Sequence, residues 1–115
     1  PIKVENKNGS ITLELSDKTA INTSIQQLDA SKIKLPLTLR SVNEGDKITP
    51  MGMKGSKLVS RIFIDHKMKS FEKEEQLVLE NTEGLILAVL GICIAEEVKI
   101  TEKTNKVVEI AINHT

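Results

Sequence analysis

Aromatic side chains are nearly absent. Phe63 and Phe71 are the only Phe, Trp or Tyr residues in 115 positions. That scarcity argues against recognition of nucleic acid by stacking bases on aromatic platforms. A lone cysteine, Cys93, rules out an internal disulfide and fits a reducing, cytoplasmic setting. It lies in the apolar run LILAVLGICIA and is expected to act as a small buried hydrophobe. No stretch reaches the ~18 apolar residues of a membrane span. Net charge is also missing: 16 Lys and Arg balance 16 Asp and Glu, so the molecule as a whole does not draw in a polyanion. The chain opens on Pro without a signal-peptide pattern, and is expected to be part of something longer.

Catalytic constellations are missing too. His66 and His114 have no cysteine or carboxylate at metal-ligand spacing, so no metal site is expected. Cys93 has no base beside it. Glu74-Glu75 and Glu96-Glu97 are adjacent pairs whose side chains diverge in a strand or helix. Gly55-Ser56-Lys57 has the wrong order for a phosphate-binding Gly-Lys-Ser loop. The chain alone is expected to be non-catalytic, without catalytic residues or a cofactor.

What is present is β-branched and aliphatic: a single domain's length, rich in Ile, Leu and Val, and long enough to bury a core without staples. Ile2 to Val4 and Ile11 to Leu15 read as strands joined across Asn-Lys-Asn-Gly, and ITLEL alternates like a half-buried strand. IKLPLTL (Ile33 to Leu39) alternates too, but Pro36 confines it to an edge or bulge. Leu58, Val59, Ile62 and Phe63 mark one face of a helix, with Ser56 as its expected cap. FEKEEQ reads as a short helical turn capped by Ser70. LVLE, LILAVL, ICIA, EVKI and VVEIAI read as strands, with turns at Thr82-Glu83-Gly84 and at Lys103 to Asn105.

Charge is uneven along the chain. From Arg40 to Lys73 eight basic residues face four acids; from Glu74 onward three lysines face eight glutamates. The basic part contains Gly45, Gly52 and Gly55 and enters the helix. Spacing alone leaves two readings open. In one, Gly52 and Gly55 turn backbone amides outward at the helix start, where Lys54 and Lys57 flank a bound anion. In the other, the glycines merely turn the chain and Met51 and Met53 plug the core beneath.

The run Leu39-Arg40, Gly45-Asp46, Pro50, Gly52-Met53-Lys54-Gly55-Ser56-Lys57, Phe63-Ile64-Asp65 and Lys67 resembles the C-terminal domain of the tRNA(Ile)-lysidine synthases. The resemblance continues through Phe71-Glu72-Lys73-Glu74, Gly91, Lys99-Ile100-Thr101 and Lys106-Val107, roughly Leu28 to Ile112. It implies a mostly β (α+β) domain, sandwich- or barrel-like and similar to a module of the phenylalanyl-tRNA synthetase β subunit, with one inserted helix and a helical turn. Residues 1–28 would be lead-in strands from a preceding domain and 29–115 the domain itself. It also implies a role: holding the acceptor stem of tRNA(Ile) while an N-terminal catalytic domain uses ATP and Mg to join lysine to the wobble cytidine. That catalytic domain's Ser-Gly-Gly-x-Asp-Ser loop does not occur here.

On this resemblance Arg40, Lys54, Lys57, Lys67 and Lys73 are the expected phosphate contacts, with Lys47 and Arg61 beside them. Gly45, Gly52 and Gly55 would shape the loop, and Asp46 would brace it. The chain departs from the family pattern at Leu58, Glu75, Ala88 and Cys93. An alternative role is a structural module packing on the catalytic domain or, as a homodimer, on a second copy.

Overall fold

The computed structural model describes residues 2–6, 9–17 and 26–113. Pro1, Lys7 and Asn8, where a turn was expected, residues 18–25, His114 and Thr115 lie outside the described residues. In chain order the elements are β1 (Ile2–Asn6), β2 (Gly9–Asp17), β3 (Gln26–Asp29), β4 (Thr38–Ser41), β5 (Lys47–Ile48) and β6 (Lys57–Leu58). Helices α1 (Val59–Asp65) and α2 (Ser70–Glu75) follow, then β7 (Leu77–Glu80), β8 (Ile86–Val89), β9 (Cys93–Ile94) and β10 (Lys106–Asn113).

Two four-stranded antiparallel sheets, ordered β1-β2-β10-β3 and β4-β7-β8-β9, form the body, and β5-β6 is a separate ribbon. The alternation in β2 works as expected: Ile11 and Leu13 are buried in the core while Glu14 is exposed. Leu15 shares their parity but emerges at the edge of an apolar groove of about 280 Å³, with Ile33, Leu35 and Val108. β10 pairs with β2 along its whole length, from Lys106↔Asp17 to Asn113↔Ser10, and with β3 on its other side. The lead-in strands are therefore half of the sheet that the C-terminal strand completes, and the division drawn at residue 28 falls inside β3. In the second sheet Leu77 to Leu79 and Ile86 to Leu90 are all buried. Such continuous runs are what a strand covered on both faces requires.

Gln26 links the two sheets. Its amide donates to the carbonyls of Val89 and Cys93 and its oxygen accepts from the Gly91 N–H. Asp29, buried at the end of β3, accepts from Ser31 and from the Thr104 hydroxyl at 2.8 Å. Burial opposes its ionisation, but the Ser31 and Thr104 hydrogen bonds prevail and hold the carboxyl below its ordinary range.

Four local expectations change. IKLPLTL is a strand only from Thr38, as the edge strand β4. EVKI is not a strand; Glu96–Val98 forms a 3-10 turn because the Glu96 N–H is drawn to the Thr49 carbonyl. Ser70 is the first residue of α2 rather than its cap, and the Glu72 carboxylate receives the Lys69 N–H instead. Ser56 does not cap α1: the helix starts at Val59, behind Leu58, with no side-chain cap.

Candidate nucleic-acid interface

The glycine-rich segment is built as two turns and a ribbon. In the first turn the Asp46 N–H returns to the Asn43 carbonyl, with Gly45 at φ +89°. In the second the Met53 N–H returns to the Pro50 carbonyl, with Gly52 also at φ +89°. Each glycine holds the third position of a four-residue turn, where a positive φ demands glycine. Gly55 has no such φ, and a Cβ there would meet nothing within 4 Å. It is not conformationally required.

Arg40 secures the first turn from below. Its guanidinium makes a fork to both Asp46 oxygens at 2.8 and 3.0 Å, two contacts to Glu80 Oε2 at 3.2 and 3.0 Å, and one to the Ser41 carbonyl at 3.0 Å. Arginine has five N–H donors, and all are used within the protein. Asp46 also accepts the Asn43 N–H at 2.7 Å. The Arg40 hydrogen bond, ahead of burial that opposes it, holds the Asp46 carboxyl below its ordinary range. Asp46 thus braces the loop, and Arg40 is part of the same brace.

The ribbon rests on the second sheet. Pro50 bridges to Ala95, the Met51 N–H donates to the Ile94 carbonyl at 3.0 Å, and the Gly52 N–H donates to Glu96 Oε1 at 2.7 Å. Lys99 occupies the other Glu96 oxygen and, with the Gly52 amide, keeps that carboxyl low. The outward amide expected to meet an anion is already held by a carboxylate. The helix start offers no site either: α1 has 7 residues, and its first N–H donates to the Asp46 carbonyl at 2.9 Å. Met51 and Met53 do not plug the core; they are 57% and 43% exposed.

The cations therefore carry any anion binding. Lys57 pairs with Asp65, and Arg61 reaches the other oxygen of the same carboxylate at 3.5 Å. The Lys57 contact lowers the Asp65 pKa, and one acid serves two bases. Lys47, opposite Leu58 in the ribbon, and Lys54, at its tip, have no carboxylate partner among the described residues. The same holds for Lys67 and Lys69 between the helices and Lys73 on α2. Lys69 belongs to the basic run but not to the motif positions that the resemblance marks. Lys67 closes α1 at φ 53°, with the Met68 N–H returning to Phe63 and its own N–H to Ile64. This is a Schellman closure with lysine at the usual glycine position. Of the departures, Ala88 is buried between Leu79 and Ile94, Cys93 is half-buried with its thiol pKa pushed up by burial, and Leu58 and Glu75 are exposed.

These features define a class: a mostly β module that presents a braced, lysine-bearing glycine loop ahead of a short helix. The family model described as the TilS substrate C-terminal domain matches residues 37–111, and the chain belongs to that family. It is 40% identical over 86 residues to the tRNA(Ile)-lysidine synthase of Parabacteroides distasonis, covering 75% of this chain and 19% of that protein. The chain spans about a fifth of the length of such curated relatives. It superposes on a crystal structure of a TILS C-terminal domain with a TM-score of 0.82 at 22% identity, over 100% of this chain and 92% of that one. It also superposes on an N-terminal fragment of the phenylalanyl-tRNA synthetase β-subunit from Pyrococcus horikoshii, with a TM-score of 0.66 at 23% identity, over 77% and 28% of the two chains. At these identities the superpositions speak to the fold, which is the one the resemblance implied.

Proposed function

We propose that this chain is the tRNA-holding module of a tRNA(Ile)-lysidine synthase. It grips the acceptor stem through its phosphates while a separate catalytic domain, supplied with ATP and Mg, joins lysine to the wobble cytidine in the cytoplasm. The observation that carries the reading is the set of lysines without carboxylate partners among the described residues, Lys47, Lys54, Lys67 and Lys73, on and beside a loop braced from below. Lys57 and Arg61, sharing Asp65, add one net positive charge. Contact is to backbone and shape, because the deep, narrow major groove of A-form RNA does not admit side chains. With few phosphates engaged, a dissociation constant of roughly 1–100 μM is expected for the chain alone.

The test is binding to unmodified tRNA(Ile) across a salt series, beside a Lys54→Glu/Lys57→Glu variant. Salt-sensitive binding that the variant loses supports the reading. Equal binding by both proteins, or by neither, refutes it. The second reading, a module that packs on the catalytic domain or a second copy, draws on the exposed Ile64 and Phe71 and predicts that the charge reversal leaves RNA affinity unchanged.

A further inference from the structure

We propose that the Met51-Gly52-Met53 tip is an apolar clamp for unpaired bases beside the end of an RNA duplex; this rests on the RNA-binding reading above. Two large apolar side chains stand exposed on a turn that is held in place. The Pro50–Ala95 bridge, the Met51 amide on Ile94, the Gly52 amide on Glu96 and the Met53 amide on Pro50 fix its backbone. A rigid exposed apolar pair marks a contact site more than a solvated loop does. Its surroundings select the partner. Lys54 follows directly and Lys47 lies in the same ribbon, neither with a carboxylate partner among the described residues, and Glu96 is already engaged by Gly52 and Lys99. Lysine is depleted in protein–protein interfaces, whereas apolar groups flanked by free cations suit a polyanion that also offers flat faces.

In duplex RNA the base faces are covered by stacking, so accessible faces belong to unpaired nucleotides and helix ends. The ring that would ordinarily stack there is missing: Phe63 is buried and Phe71 lies on α2. Thioethers replace it, since sulfur packs favourably against aromatic systems.

The experiment compares this chain's binding to a short RNA duplex with a 3′ single-stranded overhang and to the same duplex with an abasic overhang. The two probes have equal numbers of phosphates. Wild type is expected to bind the base-bearing overhang about tenfold more tightly. Met51→Ser/Met53→Ser should bind both probes with the abasic affinity and an unchanged salt slope, while Met51→Leu/Met53→Leu keeps most of the preference. Equal affinity of wild type for the two probes overturns the clamp but leaves the phosphate reading standing; no binding to either overturns both. A serine variant that keeps the preference yet no longer associates with the separately expressed remainder of the enzyme assigns the tip to a protein partner, which also overturns the proposal.

Discussion

Arg40 can be tested as a brace and as an RNA contact in one substitution. Arg40→Ala leaves Asp46 and Glu80 facing each other across a largely buried gap, and removing one partner of such a pair is strongly destabilising. With side chains 13% to 23% exposed, the expected loss is about 2–3 kcal/mol, short of the fully buried case. A denaturant midpoint measures it. As a brace, the variant keeps the wild-type salt slope wherever it remains folded; a slope reduced by about one would make Arg40 an RNA contact after all. Acid titration probes the same pair from the other side. The folded pKa values of Asp46 and Asp29 lie below their unfolded values. Each therefore stabilises the fold fully above about pH 4, the unfolded carboxyl value, and loses that contribution as pH falls through its folded pKa. Asp46→Asn should flatten the decline below pH 4; an unchanged acid limb would mean that Asp46 is not held low. Lys67 offers a gain instead. A left-handed lysine costs about 1–2 kcal/mol and glycine recovers part of it, so Lys67→Gly should raise stability by about 0.5–1 kcal/mol. The same variant loses RNA affinity if Lys67 touches phosphate.

The loop separates glycines that the sequence makes look alike. Gly45 and Gly52 need positive φ, so Gly52→Ala should cost about 1–2 kcal/mol. Gly55→Ala should fall within about 0.5 kcal/mol of wild type; equal effects in thermal melts would contradict the turn assignment. The tip's attachment can be read by amide exchange. Glu96→Ala frees the Gly52 N–H, whose exchange should accelerate, while Met51, bonded to the Ile94 carbonyl, serves as an internal control. These contrasts also explain what was legible in advance. β2 and the buried face of α1 declared themselves through period, since Ile11 and Leu13, two apart, and Val59, Ile62 and Phe63, three and four apart, meet the same core. The docking of the tip left no local trace, because Glu96 lies 44 residues beyond Gly52. The same holds for EVKI: the Glu96 N–H that leads into the 3-10 turn is held by the distant Thr49 carbonyl. The lysines were legible as a basic run, but which of them face carboxylates depends on α1 bringing Asp65 against Lys57, a tertiary fact.

At the scale of the molecule, the first two strands decide whether the family segment stands alone. The family model covers residues 37–111, and residues before Leu28 carry little of its motif. Yet β2 supplies the long partner of β10 and places Ile11 and Leu13 at 0% and 4% exposure in the core. The pattern for this was visible in ITLEL, but its partner was not, because a strand's sequence does not say which edge it joins. Burying these two side chains is worth about 1.5–3 kcal/mol each. Their loss would remove about 3–6 kcal/mol from a fold whose total stability is about 5–15 kcal/mol. Ile110, across from Leu13, would also be uncovered, and β10 would become an unprotected edge prone to pairing with other chains. A shortened chain beginning at Gln26 is therefore expected to be marginally folded, to melt over a broad range and to self-associate, even though it retains every candidate RNA-binding residue. Circular dichroism melts and sedimentation of the two lengths would show this. A sharp melt at the full-length temperature from a monomer starting at Gln26 would instead make β1 and β2 a separable connection, as their sparse family signal implied.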